Sequence, residues 1–489
     1  MIKKPCLGAA CLRLSLAIVM GVLASPQISR AASPAVPQDP FERARQALSK
    51  PRPPAPVVLP NQEAPTPAAP QERSNAPSPF SAPPQPTFAS PAPTAPPPAK
   101  AEGKAEGPPV RITGRIQADF RQHKYTTYTA DTSTDRTSGL FDLRRVGVDF
   151  RGTVLPARYK ISLELANKVE LKEAFIDLPV PNVDGRLRLG QFTYPFPAEN
   201  INSNLFYEFL EAATISDSLS GSKDRGAAFL DKKFEDRLIY MIAIVNGTGA
   251  VKPDRNENMD YVIQAQASPF RSADGSMKLW LVGAFATGKR NSTEQEKVEF
   301  GPESRSSLVY FTTKLPKEST YTRQRQALEA KFSFNRAVIG GEFLQSTYTV
   351  DKPAKITGWY GYLSYMLTDD VRTIEDGFFE RQSVSHPVTE SGQWGAWELV
   401  ARYSTFNIDK AFFTDTKLAG DGKALSIEKF ATRGVGISVG VNWYLTKQTR
   451  VMFDWIQSSA FVFDDGSMTT SETFLAKETA LLMRTQIEF

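Results

Sequence analysis

Apolar and polar side chains take turns over long stretches of this chain. In VRITGRIQADF, Val110, Ile112, Ile116 and Phe120 share one parity, and Arg111, Thr113, Arg115, Gln117 and Asp119 the other. Tyr159, Ile161, Leu163 and Leu165 oppose Lys160, Ser162 and Glu164, and Trp397, Leu399, Ala401 and Tyr403 oppose Glu398 and Arg402. Val435, Ile437, Val439, Val441, Trp443 and Leu445 alternate with Gly436, Ser438, Gly440, Asn442 and Tyr444, and Val451, Phe453 and Trp455 oppose Arg450 and Asp454. In ETALLMRTQIEF, Leu481, Met483, Ile487 and Phe489 oppose Arg484, Gln486 and Glu488. A period of two is that of a strand with one apolar and one polar face.

What the apolar faces touch follows from segment length and from the connections. In a soluble sandwich, strands of about 5–6 residues bury their apolar faces against each other. Here the alternating segments run to about ten residues, as spanning strands require, and often carry an aromatic near one end: Phe120, Phe150, Tyr159, Trp443 or Trp455. Short turns at Asn335-Arg336, Thr446–Thr449 and Phe234–Asp236 alternate with long polar loops after Asn246, Arg290 and Asp409. These features predict an all-β fold, a transmembrane antiparallel barrel of about 16 strands over residues 110–489, with apolar faces toward outer-membrane lipid and polar faces toward the lumen. A barrel of that size is too wide for its own side chains to fill, so it encloses water.

The first 109 residues read differently. Lys3 and Lys4 precede an apolar run from Leu12 to Leu23, and Ser29-Arg30-Ala31 offers small residues at cleavage positions, so residues 1–31 are expected to be a secretory signal peptide. Cys6 and Cys11 both fall inside it. Residues 32–109 hold about two-thirds of the 36 prolines and few large apolar side chains, the composition of a disordered periplasmic linker. A short helix around FERARQALSK would put Phe41, Ala44 and Leu48 on one face. No later stretch is apolar over the roughly 20 residues a transmembrane helix needs. Charge adds little, because a formal net charge of +5 on 489 residues implies neither a nucleic-acid partner nor an anionic surface.

Five ordered stretches resemble the phosphate-selective porin O and P family of outer-membrane porins: FDLRRVGVDFRG (Phe141–Gly152), GQFTYPFPAEN (Gly190–Asn200), IVNG (Ile244–Gly247), GAWELVARYS (Gly395–Ser404) and GVNWYLTKQTRVMFDW (Gly440–Trp455). The resemblance spans 110–489. It implies a sixteen-stranded porin, a homotrimer, whose loop after the fifth strand folds inward to narrow the pore, here about Pro197 to Asp224. The sequence departs from the family where Thr193 follows GQF in place of a lysine, and where the inward loop carries Glu211-Ala212 in place of an acidic–arginine pair; Glu173-Ala174 is kept. A terminal Phe489 also resembles the aromatic that outer-membrane proteins present to the barrel-assembly machinery.

A pore selects by width and by charge at its narrowest point. With apolar faces outward, the wall collects Arg111, Arg115, Arg121, Arg145, Arg151, Arg158, Lys160, Lys168, Arg186 and Arg188, joined later by Arg402 and Arg484. Set against these are Asp119, Asp149, Glu164, Glu173 and Asp177. Such a wall can guide anions, since guanidinium groups bind phosphate and carboxylate in bidentate fashion; the plainer reading is that charges of both signs pair across strands and solvate the wall. The inward loop carries Glu199, Glu208, Glu211, Asp217 and Asp224 against Lys223. An acidic loop facing a basic wall gives a transverse field and mild selectivity for small hydrophilic solutes or anions such as phosphate.

Catalysis is not expected. His123, at the rim of the first strand, and His386, in a connection, read as solvent-exposed, with no nucleophile placed beside either. No cofactor or metal is called for: Phe463–Ser467 reads as a turn, and two histidines leave little for a transition metal. The leading expectation is a porin for passive diffusion. The alternative is a structural barrel that ties the envelope to the cell wall through its proline-rich arm.

Overall fold

The computed structural model describes residues 110–489, apart from 129–131, 197, 222, 251–257, 292–295, 316–319, 419–424, 426–428 and 464–471. The expected signal peptide, linker and short helix lie outside the described residues, as does most of the Phe463–Ser467 turn.

The alternation becomes strands: β1 (Arg111–Tyr128), β2 (Ser133–Val154), β3 (Ala157–Glu164), β4 (Glu170–Pro179), β5 (Arg186–Thr193), β6 (Lys223–Lys233), β7 (Leu238–Val245), β8 (Asp260–Arg271), β9 (Met277–Arg290), β10 (Lys297–Phe300), β11 (Phe311–Lys314), β12 (Tyr321–Phe334), β13 (Ala337–Thr349), β14 (Pro353–Met366), β15 (Ile374–Glu375), β16 (Phe378–Phe379), β17 (Ala396–Ile408), β18 (Arg433–Tyr444), β19 (Thr449–Phe463) and β20 (Glu472–Glu488). Sixteen of them close one antiparallel barrel, while β10 pairs with β11 and β15 with β16 as separate hairpins in connections. The closing seam pairs β20 with β1, Ile116 opposite Ile487 and Asp119 opposite Arg484. Beyond the seam the Gly114 and Phe489 backbones exchange two hydrogen bonds of 2.8 and 3.1 Å. Closure leaves no free edge, as a lipid-facing sheet requires.

Outward faces match the pattern: Ile112, Ile116, Leu399, Ile437, Phe453, Leu481 and Ile487 are exposed, while Gln117, Asp119, Glu398, Arg402 and Arg484 are buried on the inside. The lumen is not filled by water across its width. On one side Val262, Ala286, Val338, Leu344 and Ile356 on strands meet Phe196, Phe209, Ile215, Phe300, Phe311 and Phe412 from connections in one buried apolar cluster. Each large side chain so buried gives about 1.5–3 kcal/mol. Connections, not strand side chains, occupy the space a sixteen-stranded wall leaves, so width alone did not decide how wet the interior is.

Among the described residues four connections enter, one of them the connection after β17 that brings Phe412 and Ala431 into the cluster. Residues 194–222, carrying α1 (Ala198–Ile201) and α2 (Thr214–Leu219), follow β5, and residues 291–320, carrying the β10–β11 hairpin, follow β9. Both come from the end opposite the termini. The fourth departs from the expected rule of short turns at the terminal end: residues 367–395 join β14 to β17 there and carry the β15–β16 hairpin. Its turn, Asp376-Gly377, has φ of 47° and 75°. It seats against the inner wall, where the Lys331 Nζ donates to the Gly377 carbonyl at 2.7 Å and Phe379 packs on Tyr362. The other turns are short, as at Asn335-Arg336 and Phe234–Asp236.

Candidate solute conduit

The inward connection after β5 is held through its backbone. Arg372 of the connection after β14 donates to the Phe206 carbonyl at 2.8 Å, and wall side chains donate to carbonyls further on: Arg450 to Tyr207 at 2.7 Å, Asn442 to Glu208 at 2.9 Å, and Arg402 to Glu211 at 3.2 Å. Arg484 donates to the Leu210 carbonyl, and the Leu210 N–H donates to Asp454 at 2.8 Å. Arg402 and Arg484 therefore lie under the loop, buried, instead of facing a solute. Arg372, Arg402 and Arg484 find both carbonyl and carboxylate acceptors, and Arg450 two carbonyls, as desolvation of a guanidinium demands.

The loop's Glu211 carboxylate reaches the wall at the closing seam, on β20, β1 and β2, and the connection after β9. Its oxygens lie 2.7 Å from Arg144, 2.8 Å from Arg121, 2.9 Å from Arg484 and 2.9 Å from Arg305, with Arg145 at 3.9 Å. Burial by itself would raise the Glu211 pKa, but Arg145, Arg484, Arg144 and Arg305 outweigh it and hold the group well below the usual carboxylate range. Asp217 pairs with Arg305, and Glu199 lies 3.6 Å from Arg402. The expected transverse field between an acidic loop and a basic wall is thus largely cancelled by contact. Lys223 and Asp224 correct the loop boundary, because both begin β6; Lys223 lies 3.6 Å from Glu173, which also accepts the Thr193 hydroxyl at 2.7 Å.

The open space lies on the β1–β5 side, a cavity of about 1540 Å³ bounded by wall residues from Arg111 to Lys223, by residues 200–207 of the loop, and by Glu380, Arg381 and Glu488. Of the basic wall residues read from sequence, Arg111, Arg115, Arg145, Arg151, Arg158, Lys160, Lys168 and Arg188 line it, and Arg186 does not. Arg121 is buried against Asp119 and Glu211. Of the charged residues assigned to the loop from sequence, Asp217 and the β6 residue Lys223 line the cavity; Glu199, Glu208, Glu211 and Asp224 do not. Among the described residues, twelve cationic side chains and eight carboxylates line it. Several pair across strands: Arg188 grips Asp177 at 2.7 and 2.8 Å, Arg115 lies 3.5 Å from Glu164, and Lys160 pairs with Glu173 and lies 3.6 Å from Asp149, while Arg151 pairs with Asp149 within β2 at 2.8 Å.

Sequence reading missed three groups. Arg144 would point to lipid by strict alternation, but the register skips it: Gln117 faces Arg145 and Ala118 faces Leu143. This bulge turns two consecutive arginines inward, and the adjacent Arg-Arg was its signal. Glu303 is buried, accepting from Arg402 at 2.6 Å, Ser404 at 2.6 Å and Ser438 at 2.8 Å. Arg305, with φ of 57°, is aimed by a backbone conformation that L residues seldom adopt; nothing local in the sequence marks either loop residue. His123 is a correction: it is 2% exposed, its Nδ1 3.3 Å from Glu478, because β1 continues past the expected rim. His386 is exposed in the connection, as read.

The family model described as phosphate-selective porin O and P matches residues 110–489. No curated protein matches the chain. Among solved structures, the chain is similar to the trimer form of OmpT, an outer-membrane protein of Vibrio cholerae, at 12% identity over 78% of this chain and 100% of that one, with a TM-score of 0.47. It is also similar to the outer-membrane channel DcaP of Acinetobacter baumannii, at 10% identity, 79% and 99% coverage and a TM-score of 0.47. The anion-selective porin of Comamonas acidovorans follows at 11% identity, 78% and 100% coverage and a TM-score of 0.44.

Proposed function

The chain belongs to the phosphate-selective porin O and P family of outer-membrane channels, and we propose that it passes small hydrophilic solutes by passive diffusion along the β1–β5 wall, with a mild preference for anions. The observation that carries this reading is the excess of cations, twelve to eight among the described residues, around the cavity. In a low-dielectric surround such an excess focuses a positive potential on whatever passes. Cross-strand pairing keeps that potential modest. Arg115, Arg145, Arg151, Lys160 and Arg188 guide solutes; Arg121, Arg402 and Arg484 act by holding the loop that narrows the passage. The protein works as a homotrimer with its amino-terminal segment in the periplasm.

Planar-bilayer recording tests this. Single channels in a potassium chloride gradient should reverse at a potential on the anion side of zero, and conductance in potassium phosphate should rise without saturating at low phosphate. A strong cation preference would end the anion reading, and a reconstituted barrel without conductance would end the diffusion reading.

A further inference from the structure

The Glu211 site has the construction of an anion-binding site that already holds an anion. Five arginines from three parts of the chain converge on it: Arg121, Arg144 and Arg145 from β1 and β2, Arg484 from β20, and Arg305 from the connection after β9. Arg144 approaches edge-on, its Nε 2.7 Å from one Glu211 oxygen and its Nη2 3.0 Å from the other, the fork geometry by which guanidinium recognises a carboxylate. Asp119 and Asp217 supply the other negative charges. Five positive charges therefore face three negative ones, of which one belongs to Glu211. Its side chain is 2% exposed, whereas those of Arg144, Arg145 and Arg305 are 21, 16 and 36% exposed. Arg144 and Arg145 line the cavity. A solute in the conduit thus meets the backs of arginines whose fronts are occupied.

We propose that this arginine cage is a carboxylate-binding site of the conduit and that Glu211 is its resident ligand, a competitor built into the inward loop. A tethered competitor acts at a high effective concentration, so a free anion cannot displace it at low millimolar levels. The consequence is a channel that carries anionic solutes without trapping them. The chemical class follows from the occupant: small carboxylates, and dicarboxylates above all, whose second charge matches the excess left by the cage.

This inference rests on the channel reading above, and its test separates the two. Wild type, Glu211→Gln and the double variant Glu211→Gln with Arg144→Gln are recorded in bilayers in potassium chloride with added succinate or inorganic phosphate. Wild type should conduct without block at low succinate. Glu211→Gln should be blocked by succinate at a concentration lower by roughly tenfold or more, the worth of one charge-assisted contact, and the double variant should lose most of that block. An open Glu211→Gln channel that succinate does not block overturns the inference and leaves the channel reading intact, as does block by phosphate alone. If Glu211→Gln yields no conducting barrel, Glu211→Asp carries the test: it withdraws the carboxylate by one methylene and should show intermediate block, and an unchanged succinate response overturns the inference. A wild type that conducts nothing defeats the channel reading first.

Discussion

At Glu303 one carboxylate joins two systems. It accepts from Arg402, Ser404 and Ser438, and Arg402 in turn donates to the Glu211 carbonyl. Removing Glu303 leaves a buried guanidinium short of its counter-charge, which costs about 3–5 kcal/mol. Glu303→Ala should therefore lower the urea midpoint of the reconstituted barrel, read by tryptophan fluorescence, and Glu303→Gln, which keeps an acceptor, should lower it less. Glu211 gives a prediction of opposite character. Its pKa is depressed, so its tethering contribution is fully present above the ordinary carboxylate pKa and is lost only as pH falls through the depressed value. The Glu211 tether should accordingly hold from neutral pH down to about pH 5, the ordinary carboxylate pKa being about 4.3; a conductance step within that window that is present in wild type and absent from Glu211→Gln would show that Glu211 titrates there.

Among elements, the β15–β16 hairpin lies against the inner wall at the terminal end, on Lys331 and Tyr362. Its turn is an Asp-Gly pair with positive φ at both positions, the combination that closes a tight hairpin. Arg381 pairs with Glu488 at 2.7 Å, fixing the connection to the last strand beside the cavity. Replacing residues 374–379 by two glycines should raise single-channel conductance with the barrel intact, and an unchanged conductance would locate the limiting section at the inward loop instead. The strands were legible because period two repeats over many residues. The hairpin was not, since six residues reading IEDGFF look like any turn, and only contact with Lys331 and Tyr362 shows that they fold inward. The β2 bulge lies between these cases: Arg144-Arg145 is visible in sequence, but the skipped register that turns both inward depends on pairing with β1.

For the whole molecule, the proposed selectivity depends on the difference between wall charges, not on their number. Twelve cations and eight carboxylates, mostly paired, leave a small positive surplus spread along the cavity. Such a field is screened over about 10 Å at 0.1 M salt and about 3 Å at 1 M. The anion preference measured by reversal potential should thus shrink steadily as salt rises across that range, and Arg188→Gln, which frees the Asp177 carboxylate, should reduce it further. A preference independent of salt would point to a dehydrated binding site in place of a screened wall.

The sequence by itself determined that this chain makes a closed barrel of long strands, which faces of those strands meet lipid, and that the inner wall from β1 to β5 is basic. These properties follow from local periodicity, because each strand carries its own inside and outside. Only the tertiary structure decided which inner charges meet a solute. Arg402 and Arg484 follow the same alternation as Arg151 and Arg188, yet the first two lie beneath the inward loop and the others line the cavity. That division depends on where long connections come to rest. Their position is fixed by contacts between residues up to hundreds apart in the chain, a distance at which alternation carries no information.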